Sequence, residues 1–428
     1  MKFYEKLGGS CEEKYKYIHG IISIRNKGFT MDSNENIFQK FLQTKPVFKN
    51  REALTISFSP QNIPHRKKQI NDLGRILAPT LKGGRPSNVF LYGRPGTGKT
   101  LVSRFIGSEL EKISKNNGQN IKTLYVNCKM KRTADTEYRL MAYLSNMLGK
   151  EVPFTGLPTD QIYKTFFETL DKNKQTVILI IDEIDALVEK TGDEILYNLT
   201  RINQDLENSR VSLIGITNSL GFIESLDPRV KSSLSEEELI FPPYNALQLQ
   251  DILRGRASLA FLPDILNPGV IEKCAALAAQ EHGDARRALD LLRVAGELAE
   301  RNADEKVSVK HVDAAQEKID IDRVLEIVKA QPRQSQTVLF SIIDLAEKNK
   351  EIQSGEVYDT YQEICKKHGF KILTTRRVSD LISELDLFGI INTKILSKGR
   401  YGRTRIISLG LSGSIIKKLK KLLYEIFL

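Results

Sequence analysis

The sequence predicts an α/β chain: a parallel five-stranded sheet with helices on both faces, then a small helical domain, then a C-terminal winged helix. Three observations predict it. Gly93-Arg94-Pro95-Gly96-Thr97-Gly98-Lys99-Thr100 fits the phosphate-binding pattern G-x-x-x-x-G-K-[ST] at every fixed position. Short apolar runs alternate with amphipathic stretches from about residue 51 to 244. The excess positive charge gathers late: residues 331–428 hold 17 Lys and Arg against 10 Asp and Glu, within a whole-chain net charge of +11.

Residues 1–50 are polar and basic without clear periodicity, and read as a flexible leader. Met31, followed by Asp32-Ser33-Asn34-Glu35, reads as an alternative start that would leave residues 1–30 untranslated; a peptide from 1–30 in the native protein would refute this. The five apolar runs are 88–92, 122–126, 177–181, 211–216 and 238–241, and Pro242-Pro243 closes the α/β domain, 51–244. Residues 245–330 read as helical. Ala285, Ala288, Leu289, Leu292, Ala295 and Ala299 share one helix face, and Val309, Val312, Ala315 and Ile319 repeat the pattern after Ser308. A linker at Gln331-Pro332 leads into the basic domain, 331–428.

Composition narrows the function classes. With 41% hydrophobic and 27% charged residues the chain is ordinary for a globular protein. No run of about 18 apolar residues offers a membrane span, and the charged N-terminus is not a signal peptide. Cys11, Cys128, Cys274 and Cys365 lie far apart, which fits free thiols in a reducing compartment better than a metal site or a disulfide framework. A cytoplasmic location is the expectation.

The chemistry starts at the glycine-rich loop. Val89–Tyr92 before it reads as a strand and Leu101–Ile106 after it as a helix, so backbone N–H groups would surround a phosphate at a helix N-terminus. Lys99 would reach the β- and γ-phosphates, and the Thr100 hydroxyl would ligate Mg²⁺. A second buried strand, Val177–Ile181, ends in Asp182-Glu183, 83 residues after Lys99. Asp182 is placed to hold Mg²⁺, and Glu183 to polarise an attacking water as general base. Asn218, after the strand Ile214–Thr217, either positions that water or is a turn residue. Arg229, in Leu226-Asp227-Pro228-Arg229, is a candidate finger toward a neighbouring subunit's phosphate. Arg286, in Gly283-Asp284-Ala285-Arg286-Arg287, sits in a helix first turn where the dipole opposes it by about 0.3–1 kcal/mol. That placement suits a reach to a bound phosphate; the bland alternative is a solvated arginine.

The order GRPGTGKT, IIDEID, ITNS, LDPRV and GDARRALD resembles an AAA+ P-loop ATPase. Paired with a basic C-terminal domain, it resembles the archaeal replication-initiator family, relatives of the largest subunit of the eukaryotic origin recognition complex and of its helicase-loading partner. The resemblance covers about residues 50–428. It implies Lys99 and Thr100 as Walker A, Asp182 and Glu183 as Walker B, Asn218 as sensor 1, Arg229 as finger and Arg286 as sensor 2. It places His65 and Arg66 near the adenine. The full nucleotide-contacting set is Gly93 to Leu101, Asp182, His65, Arg66, Tyr244 and Arg256, with ATP or ADP and Mg²⁺ as cofactors. No N-K-x-D motif for reading guanine appears.

The basic domain reads as three helices and a hairpin. The helix faces are Val338, Leu339, Ile342, Ile343 and Ala346; Val357, Tyr358, Tyr361, Ile364 and Cys365; and Val378, Leu381, Ile382, Leu385 and Phe388. Strands around Ile390–Thr393 and Arg405–Leu409 would flank a basic tip, a winged helix-turn-helix pattern. The candidate DNA contacts are Arg376 and Arg377 in the third helix's first turn, and Lys398, Arg400, Arg403 and Arg405 on the hairpin. A protein-binding winged helix is the alternative. The resemblance makes Lys129–Gly149 a second DNA contact, where spacing alone gives an amphipathic helix. It implies duplex origin DNA, the replicative helicase and a second copy or paralogue as partners. Clamp-loader-like ring ATPases and ATP-responsive transcription regulators share parts of this pattern.

Overall fold

The computed structural model describes residues 45–60, 62–129, 136–219, 221–234, 237–348, 351–397 and 403–427. The first elements are α1 (Lys67–Leu77), β1 (Val89–Tyr92), α2 (Lys99–Asn116), β2 (Ile121–Asn127), α3 (Glu137–Met147), α4 (Thr159–Asp171) and β3 (Thr176–Asp182). Then come α5 (Ile184–Thr191), α6 (Glu194–Arg201), β4 (Arg210–Thr217), α7 (Phe222–Ser225), α8 (Pro228–Leu234) and β5 (Glu237–Ile240). Four helices follow: α9 (Ala246–Ala260), α10 (Val270–Gln280), α11 (Ala285–Arg301) and α12 (Val309–Ala330). The last elements are α13 (Arg333–Ala346), β6 (Ile352–Gln353), α14 (Ser354–His368), α15 (Thr375–Leu387), β7 (Ile391–Ser397), β8 (Arg403–Leu409) and α16 (Gly413–Phe427). The chain forms two compact units that divide after His311.

The first unit is built on the sheet β2-β3-β4-β1-β5, in which every pairing is parallel. A parallel strand covered on both faces must be apolar throughout, and all of β3 is buried. Its residues alternate between two cores. Val177, Leu179 and Ile181 join Phe90, Leu213 and the α3–α6 helices. Ile178 and Ile180 join Val89, Leu91, Ile214 and Ile216. At the edge, Glu237 and Glu238 of β5 are exposed, which discourages pairing with another strand. Register aligns Tyr92 with Thr217 and Asp182 with Ile216. The carboxyl ends of β1, β3 and β4 therefore open side by side, where open α/β sheets bind ligands.

Helices α9, α10 and α11 pack through Leu249, Leu253, Ala257, Cys274, Ala275, Ala278, Leu291, Leu292 and Ala295, all buried. Asn245 and Gln248 close a reciprocal capping box at the start of α9. The structure corrects the end of the flexible leader. Residues 45–50 are packed: Val47 is buried, Phe48 stacks on Phe261 with centroids 4.8 Å apart, and the Lys49 and Asn50 amides donate to the Ala260 carbonyl at 2.8 and 3.0 Å. A single apolar pair in a polar stretch suffices to anchor it. The rest of the leader and Met31 lie outside the described residues.

In the second unit, α13, α14 and α15 bury the expected faces around a three-stranded sheet, β6-β8-β7. Two details differ from expectation. Phe388 is 48% exposed rather than core. Helix α16, unforeseen, buries Ile415, Leu419 and Leu423. Four lysines are interleaved with those apolar positions. The expected second-contact stretch forms α3, whose Leu140, Met141, Ala142 and Leu144 belong to the core; residues 130–135 lie outside the described residues.

Candidate nucleotide-binding site

The loop between β1 and α2 follows the strand end because Gly96 and Gly98 take left-handed φ values of 69° and 90°. At Gly96 the space is also taken: a Cβ there would fall 1.6 Å from Asp284 Oδ1. The N-terminus of α11 thus rests on the loop, and the Ala285 amide donates to the Gly96 carbonyl at 3.3 Å. Behind it, a Cβ on Gly283 would meet the Tyr244 carbonyl at 2.3 Å. Two close approaches fix where the helical domain meets the phosphate loop.

Lys99 is buried, and its Nζ donates to the carbonyls of Gly93 and Arg94 at 2.6 and 2.9 Å and to Asn218 Oδ1 at 2.9 Å. Asn218 from the end of β4 is therefore brought to the loop lysine, with its amide nitrogen left to donate elsewhere. Burial pushes the Lys99 ammonium down to about 8; Asp182 pulls it back up, and Arg286 pushes it further down. The Arg286 side chain is exposed in the first turn of α11, the helix whose N-terminus rests on the loop. Its backbone amide donates to Asp284 Oδ1 at 2.7 Å, the N-cap of α11.

Asp182 ends β3, buried beside the loop. Its Oδ2 accepts from the Thr100 hydroxyl at 2.7 Å and from the Tyr125 hydroxyl at 2.9 Å; its Oδ1 accepts from the Glu183 amide at 3.0 Å. A carboxylate and a hydroxyl held together at the mouth of a phosphate loop are hard oxygen donors that fit Mg²⁺. Glu183 starts α5 in a left-handed conformation, φ 55°, and pairs with Lys129 Nζ at 3.2 Å. Left-handed φ at a non-glycine residue recurs at His65 (59°) and His282 (94°). Such strain persists only where surrounding structure holds it, commonly at functional sites.

The other expected nucleotide contacts divide. Arg66 is 2% exposed and donates to the carbonyls of Thr97 at 2.8 Å, His65 at 3.2 Å and Pro242 at 2.5 Å. Its guanidinium lies 3.8 Å from the Tyr244 ring centroid. Arg66 and Tyr244 thus brace the phosphate loop against the end of the sheet. His65 Nε2 lies 3.0 Å from Asp251 Oδ2 on α9. Arg94 Nη1 lies 2.9 Å from His282 Nδ1. Pro95 is exposed, and Leu101 packs against the core under α2. Arg256 is placed elsewhere: it donates to the carbonyls of Ala53 at 3.1 Å and Phe58 at 3.2 Å, clamping the incoming chain to α9. A buried cation satisfies its donors on the nearest carbonyls, and for Arg256 those are not in the loop. Arg229 is exposed and forked on Asp227, with Nε and Nη2 both at 3.0 Å.

Sequence reasoning missed Tyr125 and Lys129. They stand two strand periods apart on and after β2, but only the sheet order, which puts β2 beside β3, reveals that they face Asp182 and Glu183.

In the second unit, Thr374 caps α15 and Arg376 and Arg377 are exposed in its first turn. Arg377 Nη1 makes long ion pairs, 3.9 Å to Asp380 and 3.7 Å to Glu384. Arg405 instead ties the hairpin to α15, donating to Ser383 Oγ at 2.8 Å and the Ser379 carbonyl at 3.4 Å. Arg403 opens β8, and Lys398 and Arg400 lie outside the described residues.

A strand-end Asp-Glu pair, an amide bonded to the loop lysine and a helical domain resting on the loop are the working parts of an AAA+ ATPase with a lid. Family models match in the same order: the ATPase family associated with various cellular activities over residues 89–243, the Cdc6 AAA+ ATPase-type lid domain over 250–317, and the CDC6 C-terminal winged helix domain over 326–419. The chain is 51% identical over 396 residues to ORC1-type DNA replication protein 1 of Methanosarcina mazei, covering 92% of this chain and 94% of that protein. It is 48% identical over 407 residues to the ORC1-type DNA replication protein of Pyrococcus furiosus, covering 94% and 96%. Among solved structures it is similar to the Aeropyrum pernix ORC1 protein in complex with DNA, at TM-score 0.77 and 45% identity, covering 88% of this chain and 97% of that one. The chain belongs to the ORC1-type DNA replication protein family.

Proposed function

We propose that this chain binds duplex origin DNA, uses ATP binding and slow hydrolysis as a switch, and recruits the replicative helicase. The observation that carries the reading is one chain holding both a hydrogen-bonded Lys99–Asn218 and Thr100–Asp182 site and a winged helix with Arg376 and Arg377 exposed in the first turn of α15. The A. pernix relative is named for its complex with DNA, which supports duplex DNA as the partner here.

At the site, Lys99 offsets charge on the β- and γ-phosphates, and Thr100 and Asp182 would hold Mg²⁺. Mg²⁺ when bound supplies neutralisation of the phosphate oxygens. Glu183 accepts a proton from the attacking water, and the Asn218 amide nitrogen donates to the water or the γ-phosphate. Arg286 rides on a helix that already touches Gly96, so the presence of a γ-phosphate sets the lid's position against the loop. Arg229 serves a phosphate bound to a second copy on DNA, and must leave Asp227 to do so. Such a protein works in the cytoplasm on the nucleoid.

Footprinting the full chain, loaded with ATP, on DNA spanning the organism's replication origin tests the reading. Protection at the origin is the expected outcome; protection confined to promoters would replace the initiator with a transcription regulator.

A further inference from the structure

We propose that Tyr125 is a positioning residue for the metal-binding carboxylate: from the neighbouring strand β2, its hydroxyl selects which lone pair of Asp182 faces the nucleotide. The inference rests on the ATP–Mg²⁺ reading of the site and adds a residue to it.

An ionised carboxylate offers about four lone-pair sites. Three are filled around Asp182: the Thr100 and Tyr125 hydroxyls take both on Oδ2, at 2.7 and 2.9 Å, and the Glu183 amide takes one on Oδ1, at 3.0 Å. One lone pair, on Oδ1, is left for a metal-bound water. The Thr100 hydroxyl can give its proton to Asp182 and still offer an oxygen lone pair to the metal. Tyr125 has no such second duty, so its bond to Asp182 fixes the carboxylate rotation.

Tyr125 is itself held. The Arg104 guanidinium from α2 lies 4.9 Å from its ring centroid. A phenol is protonated at neutral pH and hence a donor. Without this hydroxyl, Oδ2 regains a lone pair and the carboxylate can turn. Outer partners of this kind typically carry about 10–100-fold in metal affinity.

Tyr125→Phe in the full chain tests this, with a fluorescent ATP analogue titrated in EDTA and then at increasing Mg²⁺. Binding in EDTA reports that each variant is folded and its loop intact. Y125F is expected to match wild type in EDTA and to need about tenfold more Mg²⁺ for half-maximal enhancement of binding. Asp182→Asn should remove the enhancement, and adding Y125F to it should change nothing further. An unchanged Mg²⁺ midpoint in Y125F would overturn the proposal, as would an equal loss of affinity in EDTA and in Mg²⁺. A wild-type protein whose ATP binding ignores Mg²⁺ would instead overturn the reading beneath it.

Discussion

Lys99 should impose an upper pH limit on ATP binding. Its usual value of 10.5 falls to about 8 because burial penalises the ammonium, with Arg286 adding to the depression and Asp182 opposing it. Phosphates brought against Nζ favour the charged form, so the complex keeps Lys99 protonated at pH values where the protein before binding has lost that proton. Below about pH 8 both forms carry the charge and affinity is flat. Above it, binding must first take up a proton, and affinity falls toward a limit of tenfold per pH unit, about 1.4 kcal/mol. Binding at about pH 9 should therefore be roughly tenfold weaker than at about pH 7. Titration with a fluorescent ATP analogue across this range gives the profile. Calorimetry near pH 8, in buffers of differing ionisation enthalpy, should record uptake of about half a proton. An affinity that stays flat through pH 9, or a slope that survives in Lys99→Ala, would refute the placement of a depressed lysine at the phosphates.

Two further outcomes follow from the geometry. Gly96→Ala puts an L-residue at a left-handed φ, costing about 1–2 kcal/mol, and drives a methyl into Asp284; thermal unfolding should show lower stability and nucleotide titration weaker binding. Wild-type stability in G96A would mean that α11 does not rest on the loop. Arg376→Ala with Arg377→Ala should weaken DNA binding and lower the slope of log K against log salt by about 0.9 for each phosphate that is no longer neutralised, whereas an unchanged slope removes the first turn of α15 from the interface.

The parts legible in the sequence are those that local spacing enforces. The phosphate loop needs glycines at fixed offsets from Lys99 because φ and close approach demand them, and β3 needs an unbroken apolar run because both of its faces are covered. The same period-based reasoning located the buried faces of α11, α13, α14 and α15. What stayed hidden depends on which distant residues meet. Arg66 is set near the adenine by resemblance alone, and its carbonyl partners at Thr97 and Pro242 could not be read from the sequence. Arg256 reads as a nucleotide contact and Arg405 as a DNA contact in sequence, and the structure instead supplies them acceptors at Ala53 and Phe58 and at Ser379 and Ser383. Tyr125 is an ordinary strand aromatic in sequence, and only the β2–β3 pairing turns it toward Asp182. Helix α16 is marked by the i, i+4, i+8 spacing of Ile415, Leu419 and Leu423, a helical phase that a count of the domain's charges does not carry.

Under the proposed function, the buried Lys99–Asp182 site hydrolyses ATP with Glu183 taking the water's proton. Glu183→Gln in the full chain tests it most directly, because the amide keeps the shape and loses only the base. The variant should bind ATP as wild type does while single-turnover hydrolysis falls by about 10²–10⁴; turnover at the wild-type rate would contradict the assignment.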